Sequence, residues 1–596
     1  MENVFAQRVD ALRLMMGERG WDAIVITGSD PHASEYPAER WKQVRWISGF
    51  AGEAGDIVIT ADHAGLWTDT RYFIAANQAL EGTGIELHKT RVPEQVLIPD
   101  WLASHFRGQG EVVVAVDGLC VSAGFVQEIL DASDAAGIEM MMASVPNLLD
   151  PLWRGRPGIP QTPIFTVDHG ETRARKLAWL RGKLDEGGLD GILLTALDDI
   201  AWTLNVRASD IAYNPFVISY LLVTHDETKW YVLKGDVEDQ QTGSTLDALH
   251  AEGVSICPYT DIELDLSQFE GRLQVDGDSL NYHLSRALSA DVVMAPSPVQ
   301  LRKSIKNAVE IEGMRSCHVL DGVAMEKFLY WLERSVEAQT CITEWDAAER
   351  LGRFRSDIEG YCGDSFETIS AYGAGAALPH YVTPQEDAPV LYEGGLYLVD
   401  SGGQYVDGTT DITRTVPLGR CSRQEREDYT LVLKAHIDLA IAVFPYGTAG
   451  CQLDAVAREP LWRAKRNFGH GTGHGVGCFL GVHEGPADIR QNFNRQPLLP
   501  GMILSDEPGI YREGRHGVRH ENLLLVVESE SNEFGRWLEF EPLTLCHFDT
   551  SAIERNLLDQ SEIDWLNEYN ARVYKALKGL LPPAVSAWLK EKTEAI

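Results

Sequence analysis

Apolar positions at 5, 9, 12 and 16 (Phe5, Val9, Leu12, Met16) recur at helical spacing, so residues 4–18 read as an amphipathic helix that Gly20 ends. The run at 21–27, built around Ala23-Ile24-Val25-Ile26, reads as a buried strand. Strand patterns follow at Asp56–Thr60 and Glu111–Val116, and a Pro/Gly-rich stretch at 153–160 reads as a linker. The pattern then repeats: a helix over 172–184, the pair Gly187-Gly188, and a buried strand over 189–195. Asp22 and Asp190 hold matching positions, 190 − 22 = 168 residues apart. Two related α/β units from a duplication are expected. A third block opens near Leu301 with a long helical pattern over 308–332. Short β runs and Gly-rich turns follow it, and the tail from 561 is helical again. The expected fold class is therefore α/β (α+β), with domains at 1–156, 157–301 and 302–596.

Composition narrows the classes. Of 596 residues, 44% are apolar and 23% charged, which excludes a disordered or fibrous chain. Lys and Arg number 52 against 88 Asp and Glu, a formal charge of 52 − 88 = −36. Such a surface repels polyphosphate and anionic lipid, so neither nucleic acid nor membrane is expected as a partner. No apolar run reaches a membrane-spanning length. The nine cysteines are scattered singly, without a CxxC pair, which suits free thiols in a reducing compartment. The N-terminus from Met1 to Arg8 is polar and runs into helical periodicity, so no signal peptide is read and a cytoplasmic location is expected.

Three stretches of the third block carry candidate chemistry. Asp400 ends the apolar run Leu396-Tyr397-Leu398-Val399, and Asp411 follows eleven residues on. Asp407-Gly408 between them is a hairpin-turn signal that alone would set Gln404 opposite Asp411, so convergence of the two aspartates calls for a bulge or irregular strand. The second stretch, from His470 to Gly477, alternates glycine with His470, Thr472, His474 and Val476; it opposes a helix and lacks the marks of a phosphate loop. In the third, Glu507 and Glu521 lie symmetrically about Gly514 and can face each other across a hairpin. Arg519 shares a strand face with Glu521, and the run at 523–527 marks that strand as core. Charged groups on a core strand need compensation.

Asp400, Asp411, His474, Glu507 and Glu521 offer four carboxylates and one imidazole. Packed together, the carboxylates repel and take up protons. Two divalent cations remove that penalty; hard oxygen donors with one nitrogen suit Mn²⁺, with Co²⁺, Fe²⁺ or Zn²⁺ as alternatives. A pair of metals about 3.5–4 Å apart activates water and polarises a carbonyl, which is hydrolytic chemistry. No GxSxG elbow competes with it.

Asp400-Ser401-Gly402-Gly403 through Asp411, His470 through Gly477, Asp506-Glu507-Pro508-Gly509 and Glu521-Asn522 together resemble the pita-bread metallopeptidases, and more narrowly the long, three-domain Xaa-Pro aminopeptidases. The likeness extends over essentially the whole chain, including Trp67 to Tyr72. It implies two creatinase/prolidase-like N-terminal domains, a C-terminal pita-bread catalytic domain and a homodimer. It implies further that Asp400 chelates one metal, that Asp411 and Glu521 bridge two, and that His474 and Glu507 hold the second. Glu507 is implied as the base, His380 as a stabiliser of substrate or intermediate, and His470 and His483 as lining the proline and scissile-carbonyl side. Arg519 is implied to support Glu521, and Tyr511 and Arg71 to meet substrate. Glu53 departs from the family's small residue, and the loop at 371–377 differs in detail.

The implied substrates are peptides with proline second. An X–Pro bond has no N–H and a fixed φ, so it needs a dedicated site. The alternatives are a prolidase confined to dipeptides, which usually lacks the second α/β unit, and a non-catalytic peptide- or histone-binding module, which loses metal ligands.

Overall fold

The computed structural model describes residues 3–233 and 239–596; Met1 and Glu2, at the start of the polar N-terminus, lie outside them. The chain forms two compact units, Met1–Val299 and Gln300–Ile596.

In the first unit the opening helix is Val4–Arg19, capped by the Asn3 side chain and ended by Gly20 at φ +70°. The helix of the repeat is Arg173–Gly187, capped by Thr172 and ended by Gly188 at φ +58°. The two predicted core strands are shorter than the apolar runs suggested, Ala23–Ile26 and Gly191–Leu194. Residues 153–160 form no helix or strand.

Each half builds a six-stranded sheet. The first runs in the order Glu86–Lys89, Ala64–Thr68, Asp56–Thr60, Ala23–Ile26, Glu111–Val116, Glu139–Ser144. The second runs Ser255–Pro258, Thr228–Val232, Ser219–Thr224, Gly191–Leu194, Arg272–Val275, Asp291–Met294. Both have the same sequence of pairings: parallel, antiparallel, antiparallel, parallel, parallel. The matched aspartates do the same work. Asp22 exchanges bonds with Val113, its carboxylate accepting from the Val113 N–H at 2.8 Å. Asp190 does so with Arg272, at 2.7 Å. Each fastens the entry of its core strand to the parallel neighbour, as a duplication requires.

The second unit opens with a 30-residue helix, Ala308–Glu337, which begins at an Asn307/Glu310 capping box. Its Met325, Phe328 and Leu332 pack with Leu396, Tyr397 and Val399 of a strand and with Leu566, Leu577 and Trp588 of the C-terminal helices Gln560–Leu577 and Pro583–Lys592. A three-stranded sheet joins Ile369–Tyr372, Leu396–Ser401 and Ile412–Pro417. A six-stranded sheet places Asn522–Glu528, Ile503–Asp506 and Gly473–Gly475 side by side. Leu523 and Leu525 enter one core cluster and Leu524 and Val526 another. That strand is buried on both faces, as its unbroken apolar run demands.

Candidate metal centre

Asp400 is the penultimate residue of the strand Leu396–Ser401, where it pairs with Thr413 of Ile412–Pro417. The turn between these strands is Val406-Asp407, flanked by the pair Tyr405↔Gly408, one residue earlier than the sequence suggested. This corrects the expected register. Asp400↔Thr413 and Gln404↔Thr409 share one alignment without a bulge, and the irregularity expected between the aspartates is a break in the strands at Gly402 and at Thr410-Asp411. Asp411, two residues before Thr413, lies diagonal to Asp400 on the same face, where side chains still interact. The strand is interrupted at Gly402, where a Cβ would lie 2.0 Å from the Thr410 carbonyl oxygen.

The hairpin symmetry about Gly514 holds. The pairs Gly509↔Arg519 and Asp506↔Asn522 lie on one alignment, which sets Glu507 against Glu521. His474 stands on the short strand Gly473–Gly475. Its alternating glycines have a steric cause: a Cβ on Gly473 would sit 1.9 Å from Ser505 O, and one on Gly475 2.2 Å from Glu484 O. Only bare backbone lets these strands close on His474.

Asp411, His474 and Glu521 each bring one donor atom within 4.8 Å of the others. His474 Nε2 is 3.5 Å from Asp411 Oδ2 and 3.7 Å from Glu507 Oε1. Its Nδ1 faces the Gly475 carbonyl at 3.0 Å, so the proton sits on Nδ1 and the Nε2 lone pair is presented to the carboxylates. Burial holds this imidazole well below its ordinary pKa, in the neutral form a ligand requires.

The carboxylates are pushed the other way. Burial, then the charges of Asp400 and Glu507, raise Asp411 well above the usual range. Burial and Asp411 do the same to Glu521; burial and Glu521 do it to Glu507. Asp400 Oδ1 is buried without a hydrogen-bond partner. Among the described residues, the four carboxylates thus face one guanidinium, that of Arg519, which is paired with Asp400 Oδ2. A buried cluster so short of positive charge, with an orphaned oxygen and one lone-pair nitrogen, fits hard divalent cations.

Arg519 also donates to Tyr511 Oη at 2.6 Å and to Thr413 Oγ1 at 3.2 Å. Thr413 in turn donates to Glu521 Oε2 at 2.7 Å, so the support expected for Glu521 runs through Thr413. Tyr511 Oη lies 2.7 Å from His470 Nε2, and burial pushes the phenol up to about 12, keeping it neutral. His483 packs edge-on against His474, ring centroids 4.2 Å apart. Pro379, next to His380, accepts from Arg519 at 3.4 Å, which runs that loop beside the Asp400 pair. Arg71 belongs to the first unit, where its guanidinium is forked onto Asp69 at 2.9 and 2.8 Å. Glu53, the departure from the family pattern, accepts from Tyr72 Oη at 2.9 Å.

Sequence reasoning missed the supports. Fully buried Arg414 donates to the Glu521 carbonyl at 2.6 Å and to Asn522 Oδ1 at 2.8 Å. Arg458 holds Asp454 and the Phe468 and His470 carbonyls, while Asp454 accepts from Thr472, fixing the glycine-rich loop from behind. Asp454 and Arg458 stand four apart on a helix and read as a surface pair. Arg414, on a strand whose neighbours are small and polar, gave no signal of its own.

Residues 312–528 match the metallopeptidase family M24 and residues 536–596 the C-terminal region of peptidase M24. Residues 8–144 and 155–310 each match creatinase/prolidase N-terminal domains. A protein of Sordaria macrospora described as a probable Xaa-Pro aminopeptidase P is 37% identical, over 98% of this chain and 98% of its own. The structure of X-prolyl aminopeptidase from Caenorhabditis elegans, described as a cytosolic enzyme with a di-nuclear active site, superposes with a TM-score of 0.91 at 34% identity, covering 97% of this chain and 95% of that one. Xaa-Pro dipeptidase from Bacillus anthracis matches with a TM-score of 0.51 at 26% identity, over 99% of its own chain but 63% of this one. With two creatinase-like repeats leading into a pita-bread domain, the chain belongs to the Xaa-Pro aminopeptidase P family of M24 metallopeptidases.

Proposed function

We propose that this enzyme removes the N-terminal residue of peptides whose second residue is proline, using two divalent cations held by Asp400, Asp411, His474, Glu507 and Glu521, with Mn²⁺ the resident metal. The observation that carries the reading is the convergence of four carboxylates and a neutral imidazole on one buried spot that a single guanidinium compensates. Cations bound there supply a polarised scissile carbonyl and an activated water. Glu507 Oε1, 3.7 Å from His474 Nε2, takes the proton from the attacking water and delivers it to the prolyl nitrogen, which leaves as a secondary amine. His380 steadies the developing oxyanion, and His470 and His483 line the proline side. Arg519 and Tyr511 hold the Asp400 edge of the pocket in place, and Arg71 is a further candidate for contact with substrate.

The length of the chain favours an aminopeptidase over a dipeptidase, since the Bacillus dipeptidase accounts for only 63% of it. Retention of all five ligand positions argues against a non-catalytic binding module. A cytoplasmic setting follows the C. elegans enzyme, described as cytosolic; among the described residues no helix is long and apolar enough to cross a membrane, and none of the nine cysteines is in a disulfide. The domain joints are placed at 156/157 and 301/302, and the assembly is taken as a homodimer, which light scattering tests. Digestion of Arg-Pro-Pro with added Mn²⁺, followed chromatographically, tests the activity. Release of free arginine is expected; cleavage of Xaa-Pro dipeptides alone makes the chain a prolidase.

A further inference from the structure

The first unit holds a second cluster of metal-ligating groups, far in sequence from the carboxylates above. The edge strand Glu86–Lys89 runs parallel to Ala64–Thr68, pairing Gly65 with Glu86 and Trp67 with His88. Glu86 and His88 are two apart and stand on one face of that strand. His63, just before Ala64, brings its Nε2 to 3.0 Å from His88 Nε2. One donor atom from each of His63, Glu86 and His88 lies within 4.8 Å of the other two.

The neighbourhood is shaped for this meeting of imidazoles. A Cβ on Gly65 would fall 2.7 Å from His63 Nε2 and 2.7 Å from His88 Cδ2, so the strand is bare where the rings close. Trp67 stacks on His88 at 3.8 Å and 11°, and Trp101 lies against His63 at 4.8 Å. Both rings are therefore oriented before any ligand arrives, and the exposed Glu86 leaves the site open to water. Two nitrogens each about 2.05 Å from a tetrahedral ion are roughly 3.3 Å apart. The observed pair needs to open by only a few tenths of an ångström.

We propose that His63, Glu86 and His88 form a transition-metal site in the first unit that takes Zn²⁺ with water in the remaining position. Two imidazoles and a carboxylate are a borderline donor set suited to zinc, in contrast to the oxygen-rich set of the second unit. An ion there ties the edge strand to its neighbour and stabilises the unit by mass action.

The test is equilibrium dialysis of the chelator-treated full-length protein against Zn²⁺, with bound metal counted by atomic emission. The unaltered chain is expected to hold one equivalent more than His88→Gln, and His63→Ala alone should lose that same whole equivalent, because chelation needs both rings. Glu86→Gln, at an exposed position that does not threaten the fold, is expected to weaken the same equivalent. Circular dichroism and an unchanged Mn²⁺-dependent peptidase rate establish that each variant is folded. Equal zinc in the unaltered chain and all three variants overturns the proposal, and so does a partial loss per histidine, the mark of independent surface imidazoles.

Discussion

Two buried carboxylate centres of the second unit behave in opposite ways. Asp428, in the helix Arg423–Ala440, accepts from Arg512 Nη2 at 3.0 Å, Arg466 Nε at 3.2 Å and His516 Nε2 at 3.0 Å. Burial pushes its carboxyl up, yet the His516 and Arg512 bonds and the Arg512 charge outweigh burial and hold it well below the usual range. At the candidate metal centre the same burial wins, and Asp411, Glu507 and Glu521 are pushed far up. The desolvation cost is of one kind in both places. The difference lies in who supplies the positive charge. Around Asp428 the fold supplies it in full; around Asp411 it supplies Arg519, and in the proposed function ions from solution supply the rest.

Substitution should separate the two centres sharply. Asp411→Asn is expected to lower kcat/KM for Arg-Pro-Pro by roughly 10³-fold or more, because the charge stabilisation a metal gives is worth several kcal/mol and each 1.36 kcal/mol is tenfold. In chelator-treated protein the same change should not lower the melting temperature, since it removes like-charge repulsion. A clear loss of stability there would show that Asp411 is satisfied within the protein, as Asp428 is.

Asp428→Asn should do the reverse. It leaves the Arg466 and Arg512 guanidiniums and the His516 ring without their acceptor and is expected to cost about 3 kcal/mol in urea unfolding. That is the low end for breaking a buried pair, because Arg466 and Arg512 keep 25% of their side-chain surface in water. Its metal content should be unchanged. Thr413→Val removes the hydroxyl that links Arg519 to Glu521. Losses of this kind cost about 10–100-fold in metal affinity, to be read by competition with a chelating dye. An unchanged affinity would mean that Arg414 alone fixes Glu521.

The smallest effect is in pH. A carboxyl whose folded pKa is lowered stabilises the fold fully above its unfolded value, about 3.9 for aspartate, and less as pH falls beneath it. The unaltered protein should therefore lose stability on acidification below about pH 4 more steeply than Asp428→Asn. Parallel acid limbs would remove Asp428 from the comparison.

How far each centre could be read in the chain follows the range of its contacts. The duplication was legible because Asp22 and Asp190 precede similar apolar runs after similar helices, and local pattern carries that information. Glu507 opposite Glu521 was legible because both flank one turn and hairpin pairing is arithmetic once the turn is placed. Asp400 and Asp411 were misjudged by that same arithmetic: the turn formed at Val406-Asp407, one residue early, and the aspartates met diagonally. The glycines around His474 signalled an unusual backbone but not its cause, since Ser505 O and Glu484 O approach from other strands. Asp428 gave no signal, as its partners lie about 38 to 88 residues away.

By itself the sequence determined the classes of element, the repeat, the acidic surface and the set of donors, because periodicity, composition and family motif are written locally. Tertiary structure alone decided which carboxylates the fold neutralises and which it leaves short of positive charge. That choice depends on distances between side chains brought together by sheet pairing, and electrostatic energy in a desolvated interior follows those distances rather than order along the chain.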